Sequence, residues 1–179
     1  TEHPKINELK NIIKSEIEQN PSSKTIIFAQ FRDTVSKIKE EINKIHGIKA
    51  EIFVGKKKKK DSKGKTTGLK QKEQKETIEK FRNNQINVLI STSIAEEGLD
   101  IPEVSTVVFY EPVPSAIRKI QRAGRTARLS PGQLKVLITK NTRDEAYYYS
   151  SYHKEKKMYK AIEGIKKDFK NKDTAKTNQ

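Results

Sequence analysis

Apolar residues recur along the chain in two alternating patterns, which predict helices and buried strands. Residues 4–20 carry isoleucine or leucine three or four positions apart, the spacing of one helix face. Residues 25–29 form a short run of apolar and β-branched residues, which favours a strand buried on both faces. The alternation continues and predicts further strands at 50–54, 87–91, 104–110 and 134–139. It predicts further helices ending at Gly47, at 71–83, at 115–123, and from Arg143 onward.

Strands that alternate with helices in this way predict an α/β fold. The expected architecture is a mainly parallel central sheet with helices on both faces and a long C-terminal helix. Ligands of such sheets bind beyond the carboxyl ends of the strands. Three segments that directly follow predicted strands are therefore candidates for binding, namely Gln30–Arg32, Gly55 and Ser91–Ser93.

The net charge of the chain indicates what class of partner it binds. The chain has 179 residues, with 38 lysines and arginines against 23 acidic residues, and its formal net charge is +15. This balance indicates an anionic partner, and nucleic acid is the first candidate. Five consecutive lysines, Lys56–Lys60, follow the second predicted strand. Their ordinary interpretation is a mobile solvated loop, which still allows loose phosphate contact.

Composition also excludes several classes of protein. The chain has no cysteine, so it forms neither disulfides nor a cysteine-based metal site, and its three histidines are scattered. We therefore expect no metal site. No apolar run approaches the roughly 20 residues of a membrane span, and no secretory signal is visible in the sequence. These patterns predict a soluble cytoplasmic protein without membrane contact.

A cluster of arginines at residues 121–128 is the first candidate for chemistry. Arg125 and Arg128 are three positions apart, so on a helix they point the same way. The planar guanidinium group matches phosphate oxygens, and such a pair suits a γ-phosphate during phosphoryl transfer. Taken alone, the cluster is more typical of a solvated basic helix face.

A second candidate begins where the strand at 87–91 ends. Residues 91–93 are Ser-Thr-Ser, which offer hydroxyl and backbone N–H donors to a phosphate. Gly98 allows a sharp turn, and Asp100 is suited to accept a ribose hydroxyl. The alternative is an ordinary helix N-cap in the hydroxyl segment.

The segment Gln30–Arg32 carries the weakest of these signals. It follows a predicted core strand, and a helix start capped by Asp33 or Thr34 explains it without any binding role.

Three segments, in order, resemble motifs IV, V and VI of superfamily 2 helicases. They are Ile-Ile-Phe-Ala-Gln-Phe-Arg from residue 26, Ser-Thr-Ser-Ile-Ala-Glu-Glu-Gly-Leu-Asp-Ile-Pro from 91, and Gln-Arg-Ala-Gly-Arg-Thr-Ala-Arg from 121. The middle segment resembles the branch with RIG-I-like receptors, Dicer and the archaeal Hef/FANCM helicases. Segments at 68–74, 109–118 and 142–148 are similar to the Hef helicase–nuclease family itself. The resemblance implies a second RecA-like domain with a three-layer α/β/α fold.

The resemblance assigns roles to individual residues. It implies that Gln121, Arg125 and Arg128 contact the nucleotide phosphates, with Arg128 as the arginine finger. Gly98 would hold motif V in shape, and Asp100 would reach the ribose. The residues implied to contact the nucleic-acid backbone are Gln30, Arg32, Gly55 and Thr92. Ala127 departs from the glycine of most relatives, and alanine is small and favours a helix, so we expect it to be tolerated.

The chain contains neither a Gly-x-x-x-x-Gly-Lys-[Ser/Thr] phosphate loop nor an Asp-Glu-x-[His/Asp] box. In the resembling family these groups, with the Mg²⁺ ligands, lie on a first RecA-like domain, and ATP binds between the two domains. The resemblance therefore implies ATP with Mg²⁺ as cofactor and the first domain of the same full-length chain as partner. We expect an ATP-dependent helicase acting on forked or branched DNA, and we expect this chain alone to be inactive.

Two other functions stay open at this point. One is the RNA helicase half of a Dicer or RIG-I-like protein, because composition does not distinguish DNA from RNA. The other is a non-motor nucleic-acid-binding module, which would not need the ordered residues of motifs V and VI.

The expected organisation has three parts. A RecA-like domain covers 1–140, a helical extension packed on it covers 141–168, and a disordered tail covers 169–179. The tyrosines of the extension favour packing over base stacking.

Overall fold

Five strands form one parallel sheet in the computed structural model, which describes residues 3–53, 71–92, 103–115, 117 and 132–176. The strands are β1 (Thr25–Phe28), β2 (Ala50–Ile52), β3 (Val88–Ser91), β4 (Thr106–Phe109) and β5 (Gln133–Val136). The helices are α1 (Pro4–Gln19), α2 (Arg32–Ile42), α3 (Gln71–Arg82) and α4 (Arg143–Lys176). Every neighbouring pair of strands is parallel. The predicted α/β class with a mainly parallel sheet is confirmed.

The order of the strands in the sheet, β2-β3-β1-β4-β5, differs from their order in the chain. From the central β1 the chain goes to β2 at one edge, returns to β3, and then crosses to β4 on the other side of β1. Ile27 of β1 is aligned with Ile90 of β3 and with Val108 of β4. All residues of these three strands are buried, which explains why they are continuous apolar runs rather than alternating ones.

The apolar stripe of α1 packs into the main core. Ile6, Leu9 and Ile13 are buried, and they form one cluster with Val35 and Ile38 of α2 and with residues of the central strands. Burial of one such side chain contributes roughly 1.5–3 kcal/mol. The stripe therefore fixes α1 against α2 and the sheet.

The start of α2 differs from the sequence prediction. Its N-cap is Phe31, with extended backbone at φ −115° and ψ 144°, rather than Asp33 or Thr34. The Val35 N–H donates to the Phe31 carbonyl oxygen at 3.0 Å, so the first helical turn already includes residues 32–34. Asp33 lies in this first turn, where a carboxylate interacts favourably with the helix dipole.

The end of α2 also differs, because the helix stops at Ile42 and not at Gly47. The Asn43 side chain explains the early stop. Its Oδ1 accepts from the Ala50 N–H at 2.8 Å, and its Nδ2 donates to the Ala50 carbonyl oxygen at 3.1 Å. These two bonds tie the helix end to the start of β2. Gly47 has φ +81° and lies in the turn between them.

An ion pair between Lys39 of α2 and Glu51 of β2 makes the stability of the domain depend on pH. Burial raises the pKa of Glu51, but the hydrogen bonds from Lys39 and from the Ile52 N–H outweigh it and lower the pKa below its ordinary value of 4.5. A lowered carboxylate pKa stabilises the fold above pH 4.5, and this contribution is lost as the pH falls through the folded-state pKa.

We therefore expect Glu51→Gln to reduce the loss of stability on acidification. The effect at neutral pH should be at most about 1 kcal/mol, because the pair is partly exposed. Urea unfolding of both proteins between neutral and acidic pH measures it. A constant difference between the two proteins at every pH would contradict the assignment to ionised Glu51.

The chain divides into two compact units, Thr1–Thr139 and Lys140–Gln179. The second unit contains α4, which continues to Lys176 and so includes residues for which the sequence predicts a disordered tail. Tyr147, Tyr149 and Tyr152 on this helix are more than half exposed. The predicted three-part organisation and the packing of the extension stay predictions. Within the described ranges, no helix is long and apolar enough to span a membrane.

Candidate nucleic-acid interface

Two predicted contact residues lie at the carboxyl ends of neighbouring strands. β1 and β3 are paired with Phe28 opposite Ser91, and the Ala29 N–H continues the ladder by donating to the Ser91 carbonyl oxygen at 3.0 Å. Gln30 and Thr92 are the next residues on the two strands. Gln30 is exposed and Thr92 is partly exposed. The structure therefore brings both polar residues to the carboxyl ends of two neighbouring strands, where ligands of parallel sheets bind.

The connection from β1 to α2 is short and presents three exposed side chains in sequence, those of Gln30, Phe31 and Arg32. Arg32 is the first residue of α2, so its guanidinium group extends from a rigid element. Phe31 is 59% exposed and makes no side-chain capping bond. A phenylalanine N-cap leaves a backbone N–H without the side-chain acceptor that Ser, Thr, Asp or Asn would supply, at a cost of roughly 0.5–2 kcal/mol. This helix start is thus locally unfavourable.

Glu111, just beyond β4, holds the Gln30 backbone in place. Its Oε2 accepts from the Gln30 N–H at 2.8 Å. The preceding residue, Tyr110, donates its N–H to the Phe28 carbonyl oxygen at 2.8 Å, which keeps β1 and β4 paired up to this point. The segment after β4 therefore supports the loop that carries two of the predicted contact residues.

Lys5 of α1 supports the same region from the first turn of its helix. Its side chain is buried, and its Nζ donates to the Tyr110 carbonyl oxygen at 3.0 Å and lies 5.5 Å from the centroid of the Tyr110 ring. Sequence reasoning missed Lys5 and Glu111, and it included Phe31 only as part of the segment Gln30–Arg32, without a role of its own. Only Phe31 carries a local signal, because an aromatic residue between two polar ones ahead of a helix is an unusual cap.

The other predicted site residues lie outside the described residues. These are Gly55, Gly98, Asp100, Gln121, Arg125 and Arg128, together with the lysines Lys56–Lys60. Within the described residues, no group of three or more acidic or histidine side chains is arranged to hold a metal ion.

Residues 4–130 match the family described as "Helicase conserved C-terminal domain". The chain belongs to this family. It is 48% identical over 92% of its length to "Putative ATP-dependent RNA helicase MJ1505" of Methanocaldococcus jannaschii, covering 20% of that protein. It is 41% identical over 81% of its length to "ATP-dependent DNA helicase mph1" of Neurospora crassa, covering 12% of it.

The helicase domain of Hef from Pyrococcus furiosus is similar in structure as well as in sequence. The identity is 50%, the TM-score is 0.69, and the match covers 83% of this chain and 29% of that chain. The helicase C-terminal domain described above thus spans a fifth or less of the two curated relatives' lengths. The predicted second RecA-like domain of a superfamily 2 helicase, with its α/β/α fold, is confirmed.

Proposed function

We propose that this helicase C-terminal domain is the second motor domain of an ATP-dependent DNA helicase or translocase that acts on forked or branched DNA in replication-fork repair. The 50% identity with the Hef helicase domain over 83% of the chain carries the proposal. The mph1 relative, named as a DNA helicase, supports it further. The placement of Gln30 and Thr92 at adjacent strand ends is consistent with a track for one strand of nucleic acid.

In this proposal two ligands, the nucleic acid and the nucleotide, bind at the carboxyl ends of the strands. Gln30, Arg32, Gly55 and Thr92 contact the nucleic-acid backbone, which gives affinity without sequence preference. Gly98 and Asp100 belong to the nucleotide site, and Gln121, Arg125 and Arg128 contact the triphosphate. ATP and Mg²⁺ bind mainly to the first RecA-like domain of the full-length protein. That domain completes the site, so this chain alone hydrolyses no ATP.

An RNA helicase is the second candidate, because the Methanocaldococcus jannaschii relative at 48% identity is named as one. The two candidates differ in the substrate that the full-length protein prefers. Competition binding between forked DNA and duplex RNA of the same sequence separates them. Preference for the RNA would replace the first proposal by the second.

The contact role of Arg32 gives a test of the proposed interface. We expect Arg32→Ala in the full-length protein to weaken binding to forked DNA at every sequence. The slope of log K against log salt concentration is negative, and removal of one phosphate contact also reduces its magnitude by about 1. Fluorescence anisotropy titrations over a range of salt concentrations measure both quantities.

Arg82→Ala is the control for this experiment, because it removes an arginine at the amino ends of the strands, away from the proposed interface. Arg82 ends α3, and its carbonyl oxygen accepts from Lys24 Nζ at 2.9 Å, beside the amino end of β1. The control should keep the wild-type slope. Equal slopes for the wild type and both variants would remove Arg32 from the interface.

A further inference from the structure

We propose that Phe31 is a stacking platform for one unpaired nucleobase of the bound strand. This inference rests on the proposed function, and it adds the class of substrate that the interface takes. Phe31 is 59% exposed and lies between Gln30 and Arg32, the two predicted backbone contacts of the β1–α2 connection. A ring between two polar side chains can receive a base while its neighbours bind the adjoining phosphates.

Among the described residues, Phe31 has no side-chain partner that explains its place at the start of α2. Its side chain makes no capping bond, and none of the ring stacks or cation–π pairs described for the structure includes it. Its position at the N-cap is one where an aromatic residue is unfavourable. Residues that break a local rule without a structural gain are expected at functional sites. The exposed ring is therefore better explained by a ligand than by folding.

The surroundings of Phe31 favour a base over a protein partner. Among the described residues of the unit Thr1–Thr139, it is the only large hydrophobic side chain that is exposed, so no second such side chain from these residues joins it in a patch. Protein-docking surfaces need contiguous apolar area of several hundred Å². One aromatic ring has about the area of one base, and every base has a π-face, so stacking is tolerant of sequence.

Stacking requires that the base be unpaired. The proposal therefore predicts that this edge of the sheet receives a single strand, as at the separated strands of a fork, rather than an intact duplex. The exposed Phe31 ring would distinguish an unpaired base from a paired one without distinguishing the four bases from each other.

The test uses the full-length helicase and a single-stranded oligodeoxynucleotide with 2-aminopurine at successive positions. Phe31→Ala and Phe31→Leu should each weaken binding roughly 10-fold, the loss expected for one stacked base. Phe31→Tyr should bind like the wild type, because it keeps the ring. The salt dependence of binding should be unchanged in all three variants, since no phosphate contact is lost. At one position, 2-aminopurine fluorescence should be quenched by the wild type and by Phe31→Tyr only.

The outcomes separate this proposal from the one on which it rests. If Phe31→Leu and Phe31→Tyr bind alike, or if Phe31→Ala binds like the wild type while Arg32→Ala shows the expected smaller salt slope, stacking is wrong and the proposed interface is retained. If Arg32→Ala and Phe31→Ala both bind like the wild type, the interface itself is misplaced. An oligonucleotide with an abasic site at the quenched position should bind the wild type and Phe31→Ala equally, and a retained difference would also overturn stacking.

Discussion

Replacement of Arg128 by alanine in the full-length protein is expected to lower DNA-stimulated ATP hydrolysis by roughly 10³- to 10⁵-fold. The proposed role of Arg128 is to stabilise charge that develops on the γ-phosphate in the transition state. An interaction made mainly in the transition state lowers kcat when it is removed, while ATP binding is largely retained. Steady-state hydrolysis at saturating DNA, together with the affinity for a non-hydrolysable ATP analogue, measures the two effects.

Two further variants sharpen this experiment. Arg128→Lys keeps the charge but loses the planar fork of donors, so we expect it to restore only part of the activity. Arg82→Ala removes an arginine near the amino ends of the strands, and this variant should hydrolyse ATP at the wild-type rate. Near-normal turnover of Arg128→Ala would assign the arginine finger to another residue.

Phe109→Ala is expected to lower the free energy of unfolding of the chain by roughly 3–5 kcal/mol. Phe109 is 0% exposed at the end of β4, and its ring stacks on Phe28 of β1 with centroids 5.2 Å apart. Truncation would remove this contact and leave a cavity beside the Phe28 ring on one face of the sheet. Urea unfolding of the 179-residue chain measures the change.

Phe31→Ala is the matched control, because it is the same substitution at an exposed ring. It should change the stability by no more than about 0.5 kcal/mol. The pair of variants therefore separates an effect of burial from an effect of the substitution itself. Comparable losses for both variants would show that Phe31 has a structural role and would weaken its assignment as a binding residue.

The pattern of apolar residues predicts most of this fold because each element has a distinct period. The run Ile26–Phe28 is recognisable as a buried strand, and the spacing of Ile6, Leu9 and Ile13 is recognisable as a helix face. The order of the strands is not recoverable in this way. β1, β3 and β4 are all short, buried and apolar, so nothing in their own residues says which of them is central.

Residues of the candidate site are predictable from the sequence only where a neighbouring predicted element shows where they lie. The sequence predicts that Gln30 and Thr92 lie at the carboxyl ends of strands, because each directly follows a predicted strand. The supporting roles of Glu111 and Lys5 are not predictable from the sequence, because their hydrogen bonds reach 81 and 105 positions along the chain. Phe31 is not predictable as the cap, because propensity favours Asp33 or Thr34 and the fold overrides that preference at this turn.

The two edge strands of the sheet affect how the chain behaves at high concentration. β2 and β5 each carry one ionised residue paired with a helix, Glu51 with Lys39 and Lys135 with Glu16. A second copy that added a strand to either edge would have to bury that charge or break its ion pair. Charged residues on short edge strands are a common protection against edge-to-edge aggregation. Among the described residues, each edge of the sheet thus carries a charge that opposes the addition of a further strand.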